Sequence, residues 1–207
     1  YNPSDIQIEN IKDSLLFLDK IYVIDNSSQK HNVGNDNRIV YYSQSENMGI
    51  AKALNIGCQL ALDDGFKWLL TMDQDSLFNK ETIDKLCDYI ENNDISKTYI
   101  VSPWLNTKLL EEKPLEEISH PSDVMTSGSI MNLDLYKLVG GFKEWLFIDG
   151  VDIAYCYDAN RMGYHIDRLN NVCIEHSLGD IKIHKILWKT FLCTNHNYIR
   201  KYYMQRN

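Results

Sequence analysis

An α/β fold, with helices on both faces of a mostly parallel central sheet, is predicted for this chain of 207 residues by two observations. Short apolar runs alternate with segments of helical period from Ile8 to Val101, and two of those runs end in acidic residues. In an open parallel sheet, ligands gather at the carboxyl ends of the strands, so such acids stand where chemistry is expected.

Ser4-x-x-Gln7 is a capping box, and Ile8, Ile11, Leu15 and Leu18 follow at helical spacing. Ile21-Tyr22-Val23-Ile24 reads as a buried strand running into the turn residues Asp25-Asn26-Ser27-Ser28. Residues 39–42 form a second strand. Ile50, Leu54, Cys58 and Ala61 then mark one helical face, and residues 68–72 are a strand entering Asp73-Gln74-Asp75. Asn79 caps a helix with Ile83, Leu86, Cys87 and Ile90 on one side, and residues 99–101 form the next strand. After Pro103 the rhythm breaks, and residues 105–126 read as a long functional loop. Order returns with a strand at 127–132, the Gly140-Gly141 turn, a helix over 151–162, and strands near Tyr164 and Val172. Residues 182–206 are read as one long basic and aromatic helix.

The length fits one domain, and hydrophobic residues at 44% suffice for a sizeable core. The net charge of −8 argues against nucleic acid as a partner. From Ile181 onward the chain has six of its 21 basic residues and none of its 29 acidic ones, which leaves −14 on the remainder. Five cysteines without a CxxC pair read as reduced core thiols of a cytoplasmic protein. No apolar run reaches membrane-spanning length. The chain opens without a strand before its first helix and closes inside a helical pattern, so a truncated fragment is expected.

Two aspartates one residue apart at a strand end repel each other unless a cation offsets them, so Asp73 and Asp75 point to a hard divalent ion and phosphate oxygens. Asp25 alone says less, because Asp is a common turn residue. Asp149 and Asp152 open a helix, where either could serve as a cap. There is no P-loop, GxGxxG, HExxH or GxSxG, so ATPase, dehydrogenase, zinc-protease and serine-hydrolase readings lose their usual support.

Together these segments resemble glycosyltransferase family 2, which has the GT-A (Rossmann-like) three-layer fold. The matching pieces are Val23-Ile-Asp25-Asn-Ser-Ser28, Asn47-Met-Gly-Ile-Ala-Lys52-Ala-Leu-Asn55, Asp73-Gln-Asp75 as a DxD motif, Thr126-Ser-Gly-Ser129, Gly140-Gly-Phe142 and Asp152. Within the family, Thr71-Met-Asp-Gln-Asp-Ser76, Phe147-Ile-Asp149, His176-Ser-Leu-Gly-Asp180 and Arg206-Asn207 look like rhamnosyltransferases. Two departures are Val151, where the family has the glutamate of its "ED" pair, and Asp158, where an arginine is usual.

The resemblance implies a single GT-A domain lacking its first strand. Its nucleotide-sugar half would span 1–103, its acceptor and catalytic half 104–180, and its C-terminal basic helix 181–207. It implies that Tyr1, Asn2, Asp25, Asn26, Asn47, Gly49, Lys52 and Asp73 meet the nucleotide sugar, and that Asp75 and His176 hold Mg²⁺ or Mn²⁺. Asp152 would be the general base with Asp149 in support, and Gly128 and Trp145 would lie on the acceptor side. Asp152 stands twelve residues before Tyr164 and twenty-four before His176, as the family base does. The implied partners are a nucleoside diphosphate sugar, dTDP-rhamnose first, and a glycan or lipid-linked acceptor. Peripheral contact with the inner membrane face through 182–206, and a homodimer, are further arrangements this reading admits. A non-catalytic sugar-binding relative and a sugar nucleotidyltransferase are the alternatives.

Overall fold

The computed structural model describes residues 1–74, 76, 78–106, 113–175, 181–186, 189–194 and 198–207. Helix α1 (Asp5–Ser14) is closed by the expected capping box, with Ser4 and Gln7 exchanging bonds. Strands β1 (Ile21–Asp25) and β2 (Ile39–Ser43) pair in parallel, and α2 (Ile50–Asp63) packs against β1 and β3 (Trp68–Thr71). Helix α3 (Lys80–Asn92) begins where Asn79 accepts the Thr82 amide. Then come β4 (Thr98–Asn106), β5 (Ile118–Ser119), β6 (Ser129–Asn132), α4 (Leu133–Val139), a 3-10 turn at Glu144–Leu146, α5 (Val151–Arg161) and β7 (His165–Glu175). The chain ends in β8 (Ile181–Ile186), β9 (Lys189–Thr194) and α6 (Tyr198–Arg206).

The central sheet has five strands in the order β3-β6-β4-β7-β5. Strands β3, β4 and β7 run one way, and β6 and β5 oppose them. Alternation along the strands builds two cores. Ile100, Met131 and Ile166 face α2, α4 and α5, whereas their neighbours Val101 and Ile130 face α3 with Leu86, Leu169 and Val172. Leu86 is fully buried, so Leu86→Ala costs about 2–5 kcal/mol.

Four expectations are corrected. The long helix over 182–206 is a β-hairpin followed by α6. The lysines at 182, 185 and 189 mimic helical spacing, but Ile181-Lys-Ile183 alternates and Thr190-Phe191 favour strand, and the pairing of β8 with β9 decides. Strand β4 does not stop near Pro103. It continues to Asn106, with a register shift between Pro103 and Trp104, which is how a sheet accommodates a residue without an amide donor. The strands expected near Tyr164 and Val172 are one strand, β7, whose long pairing with β4 spans both. Of the cysteines, Cys58 and Cys156 are buried free thiols, but Cys87 and Cys173 are exposed and are not core residues.

Candidate active site

The carboxyl ends of β1 and β3, the segment entering β6 and the start of α5 converge on one edge of the molecule. Gly128 donates to the Thr71 carbonyl at 2.8 Å, and the Asp73 amide donates to Ser127 Oγ at 3.0 Å. Ser127 also bonds the buried Ser76 hydroxyl at 3.0 Å, so one serine holds the loop on both sides of residue 75. Gly128 has φ 87°, and a Cβ there would lie 3.1 Å from the Phe78 ring. Thr126 Oγ1 donates to Asp152 Oδ1 at 2.9 Å and so ties this segment to the first turn of α5. The Tyr1 backbone nitrogen donates to the Gln74 side chain and the Asn2 amide to Ser27 Oγ, which places residues 1 and 2 between the ends of β1 and β3.

Asp152 is the electrostatic centre. Burial pushes its carboxyl up to about 6, the Thr126 hydroxyl opposes the rise, and the nearby charges of Asp73 and Asp149 add to it. A carboxylate poised near neutrality is suited to taking a proton. Asp25 is its opposite. Burial raises it, but Ser27, His31 and Tyr41 outweigh that and hold it down at about 2. Its Oδ1 accepts the Ser27 amide at 2.8 Å, and its Oδ2 accepts the Tyr41 hydroxyl at 2.7 Å and lies 2.7 Å from His31 Nδ1.

The loop joining the 3-10 turn to α5 is strained and heavily held. Phe147 has φ 64° and ψ −63°, with the Ile148 amide bonded back to the Leu146 carbonyl at 2.7 Å, a γ-turn of the rare hand. Asp149 has φ 59°. Such residues cost about 1–3 kcal/mol each and persist only where the surroundings over-determine them. Here the Ile50 amide bonds the Phe147 carbonyl at 2.7 Å, the Phe147 ring stacks on Tyr203 at 4.6 Å, and Asn207 Nδ2 reaches the carbonyls of Leu146, Ile148 and Asp149 at 2.8–2.9 Å. Arg200 grips Asp149 with Nε at 3.2 Å and Nη2 at 2.9 Å. Asp149 therefore does not cap α5; Gly150 holds that position without a side-chain bond.

The remaining predicted residues divide. Asn26 is buried and joins Gln44 to the Gly49 carbonyl, and Asn47 closes a turn onto the Gly49 amide, so both shape the start of α2. Gly49, at φ 86°, allows the close approach of Phe147, whose carbonyl oxygen would lie 2.5 Å from a Cβ. Lys52 pairs loosely with Glu144 at 3.8 Å, and Trp145 is exposed. Asp75 and His176 lie outside the described residues. Sequence reading named neither Thr126 and Ser127 as partners of the acids nor Arg200 as the partner of Asp149. The first two stand beside Gly128 in a recognised segment, but nothing local marks Arg200. A surface depression of about 300 Å³ lined by Lys12, Leu15, Val33, Arg38 and Ile39 contains none of the predicted site residues.

Residues 8–103 match the family model described as Glycosyl transferase family 2. The dTDP-rhamnosyl transferase RfbF of Shigella flexneri is 28% identical over 205 residues, covering 90% of this chain and 68% of that protein. The mannosyltransferase PcManGT from Pyrobaculum calidifontis, solved in complex with GDP-Man and Mn²⁺, superposes with a TM-score of 0.61 at 15% identity, over 87% of this chain and 55% of that one. S. aureus TarS 1–349 in complex with UDP-GlcNAc gives a TM-score of 0.61 at 16% identity, over 85% of this chain and 56% of that one. This chain thus spans a little over half the length of those two solved chains, and at such identities they speak for the fold alone. Residues 8–103 are thus similar to glycosyltransferase family 2, the likeness to a rhamnosyl transferase extends over 90% of the chain, and the fold is that of the GT-A glycosyltransferases.

Proposed function

We propose that the chain transfers L-rhamnose from dTDP-rhamnose to a hydroxyl of a cell-surface glycan or lipid-linked acceptor, with inversion at the anomeric carbon. The observation that carries the proposal is Asp152, raised to about 6 at the edge where β3 and the Thr126–Gly128 segment converge. An ionised Asp152 takes the proton of the acceptor hydroxyl as its oxygen attacks the anomeric carbon, and the bond to the diphosphate oxygen breaks in line. Asp25, held ionised by Ser27, His31 and Tyr41, accepts the ring N–H of the thymine. Asp73 takes a ribose hydroxyl, and Tyr1 and Asn2 flank it. Arg200 fixes Asp149, which steers the acceptor together with Trp145.

A divalent cation fits this edge, because Asp73 and Asp149 already add unfavourable negative potential at Asp152. Asp75 and His176 would hold Mg²⁺ or Mn²⁺, which when bound neutralises charge developing on the leaving diphosphate. Similarity to RfbF supports the rhamnose donor, and the Mn²⁺ bound by PcManGT supports the metal. The test is product formation from labelled dTDP-rhamnose beside UDP-glucose and UDP-galactose, with lipid-linked and soluble glycan acceptors. Turnover of a UDP-sugar with none of dTDP-rhamnose refutes the donor. A chain that binds none of these nucleotides is a non-catalytic relative.

A further inference from the structure

A second cluster of ligating side chains stands apart from the acids just described. Among the described residues, His120, His165 and Asp167 each bring a nitrogen or oxygen to within 4.8 Å of the others. Its position follows from register. His165 opens β7 opposite Thr98, the first residue of β4, and Asn132, paired with Trp68 at the start of β3, donates to the Thr98 carbonyl. Thr98 and His165 are therefore level with the beginning of β3, whereas Asp73 follows its end, about 10 Å further along the strand direction. β5 runs antiparallel to β7 with Ser119 opposite Arg168, which brings His120, the next residue, beside Asp167. The donor's cation is thus a separate matter from this cluster.

Asp167 is the anchor. It is 2% exposed; its Oδ2 accepts the Thr98 hydroxyl at 2.7 Å, the Tyr89 hydroxyl also bonds the carboxylate, and among the described residues its buried Oδ1 accepts no hydrogen bond of good geometry. A carboxylate in the interior is costly and calls for a positive partner. His120 Nδ1 lies 3.0 Å and His165 Nε2 3.4 Å from that same oxygen. Two ligands on zinc bonds of about 2.0–2.2 Å in tetrahedral geometry stand roughly 3.3–3.5 Å apart, so the observed spacings need only small shifts. Without a metal, the His120 Nδ1 proton is drawn to the Ile166 carbonyl at 2.9 Å, and metal ligation through Nδ1 displaces it.

We infer that His120, His165 and Asp167 form a site for a borderline divalent transition metal, Zn²⁺ first, at the edge of the sheet opposite the acidic site. Two imidazoles and one carboxylate suit zinc, and not the all-oxygen shell that Mg²⁺ prefers. Three protein ligands leave a fourth position to water, and the exposure of His120 gives solvent access to it. Bound there, the metal staples the segment just after β5, which leads on to Thr126–Gly128, to the start of β7.

The test is calorimetric titration of the tag-free chain with zinc chloride, repeated on H120A, H165A and D75A. Both histidines are at least partly exposed, so their removal leaves the core intact. The inference expects one zinc per wild-type chain, an unchanged affinity in D75A, and at least a ~10-fold loss in both histidine variants. Zinc should also raise the melting temperature of wild type and D75A and leave both histidine variants unmoved. No zinc binding by wild type, or binding lost in D75A but kept in H120A and H165A, overturns it.

Discussion

Asp152→Asn should cripple turnover and stabilise the protein in the same stroke. The carboxyl rises from 3.8 to about 6 on folding, chiefly through burial. Between those two pH values the folded chain keeps a proton that the unfolded chain releases, so stability falls as pH rises through the window. Below pH ~3.8 the penalty is absent, and above ~6 it is complete. Roughly two pKa units at 1.36 kcal/mol each give a penalty of about 3 kcal/mol. Asparagine removes the charge, keeps the volume and still accepts the Thr126 hydroxyl. Urea unfolding at pH 7.5 should therefore show D152N more stable by up to ~3 kcal/mol, with the gain shrinking toward zero near pH 4. In the same variant kcat should drop about 10²–10⁴-fold, with donor affinity nearly unchanged. Wild-type activity should fall as pH drops below about 6, because the protonated acid cannot accept a proton. A variant no more stable than wild type at pH 7.5, or equally stabilised at both pH values, refutes the burial argument. Retained turnover refutes the assignment of the base.

Three other outcomes follow from the same edge. EDTA, and separately Asp75→Ala, should weaken nucleoside diphosphate binding at least ~10-fold, because a charged leaving group is then met by uncompensated carboxylates; calorimetry showing equal affinity removes the cation from the reading. Gly49→Ala should cost about 3 kcal/mol or more in denaturant unfolding, since the new Cβ meets the Phe147 backbone at 2.5 Å on a backbone of φ 86°. Arg200→Gln leaves Asp149 without its bidentate partner and should raise the acceptor KM while sparing donor affinity; equal effects on both would make Arg200 a merely structural residue.

Elements whose signals are local could be read from the chain. The capping box at Ser4, the Asn79 cap and the apolar runs ending at Asp25 and Asp73 place α1, α3, β1 and β3 correctly, because each rests on neighbours within one turn or one strand. Reading failed where a distant partner overrides a local pattern. Pro103 looks like a stop, yet β7 pairs with β4 on both sides of it. Lysines three and four apart look helical, yet β8 and β9 satisfy each other as a hairpin. The candidate site divides the same way. Its acids announce themselves at strand ends, but the groups that tune them, Thr126 for Asp152, Tyr41 and His31 for Asp25, and Arg200 for Asp149, lie 6 to 51 residues away. No periodicity encodes such pairs.

The strained loop from Trp145 to Gly150 links the two halves of the site. On one side its Phe147 carbonyl accepts the first amide of α2, the helix whose start is shaped by Asn26, Asn47 and Gly49. On the other side it runs directly into α5, which carries Asp152 in its first turn. A shift of Phe147 therefore moves the nucleotide-side helix and the base together. From the outside, α6 fixes the loop through the Tyr203 stack, the Arg200 ion pair and the three carbonyl bonds of Asn207. Two of the tail's six basic residues, Arg200 and Arg206, are thus turned inward onto this loop and not spread along a solvated face. Asn207→Ala tests the linkage. Removing three bonds at an exposed position should cost about 1–2 kcal/mol of global stability. The larger effect should be on geometry: kcat should fall about tenfold or more as Asp149 and Asp152 lose their fixed positions. Glutamine at 207, which can still donate to these carbonyls, should recover part of the rate. Unchanged kcat in Asn207→Ala would mean that the γ-turn is held from the α2 side alone.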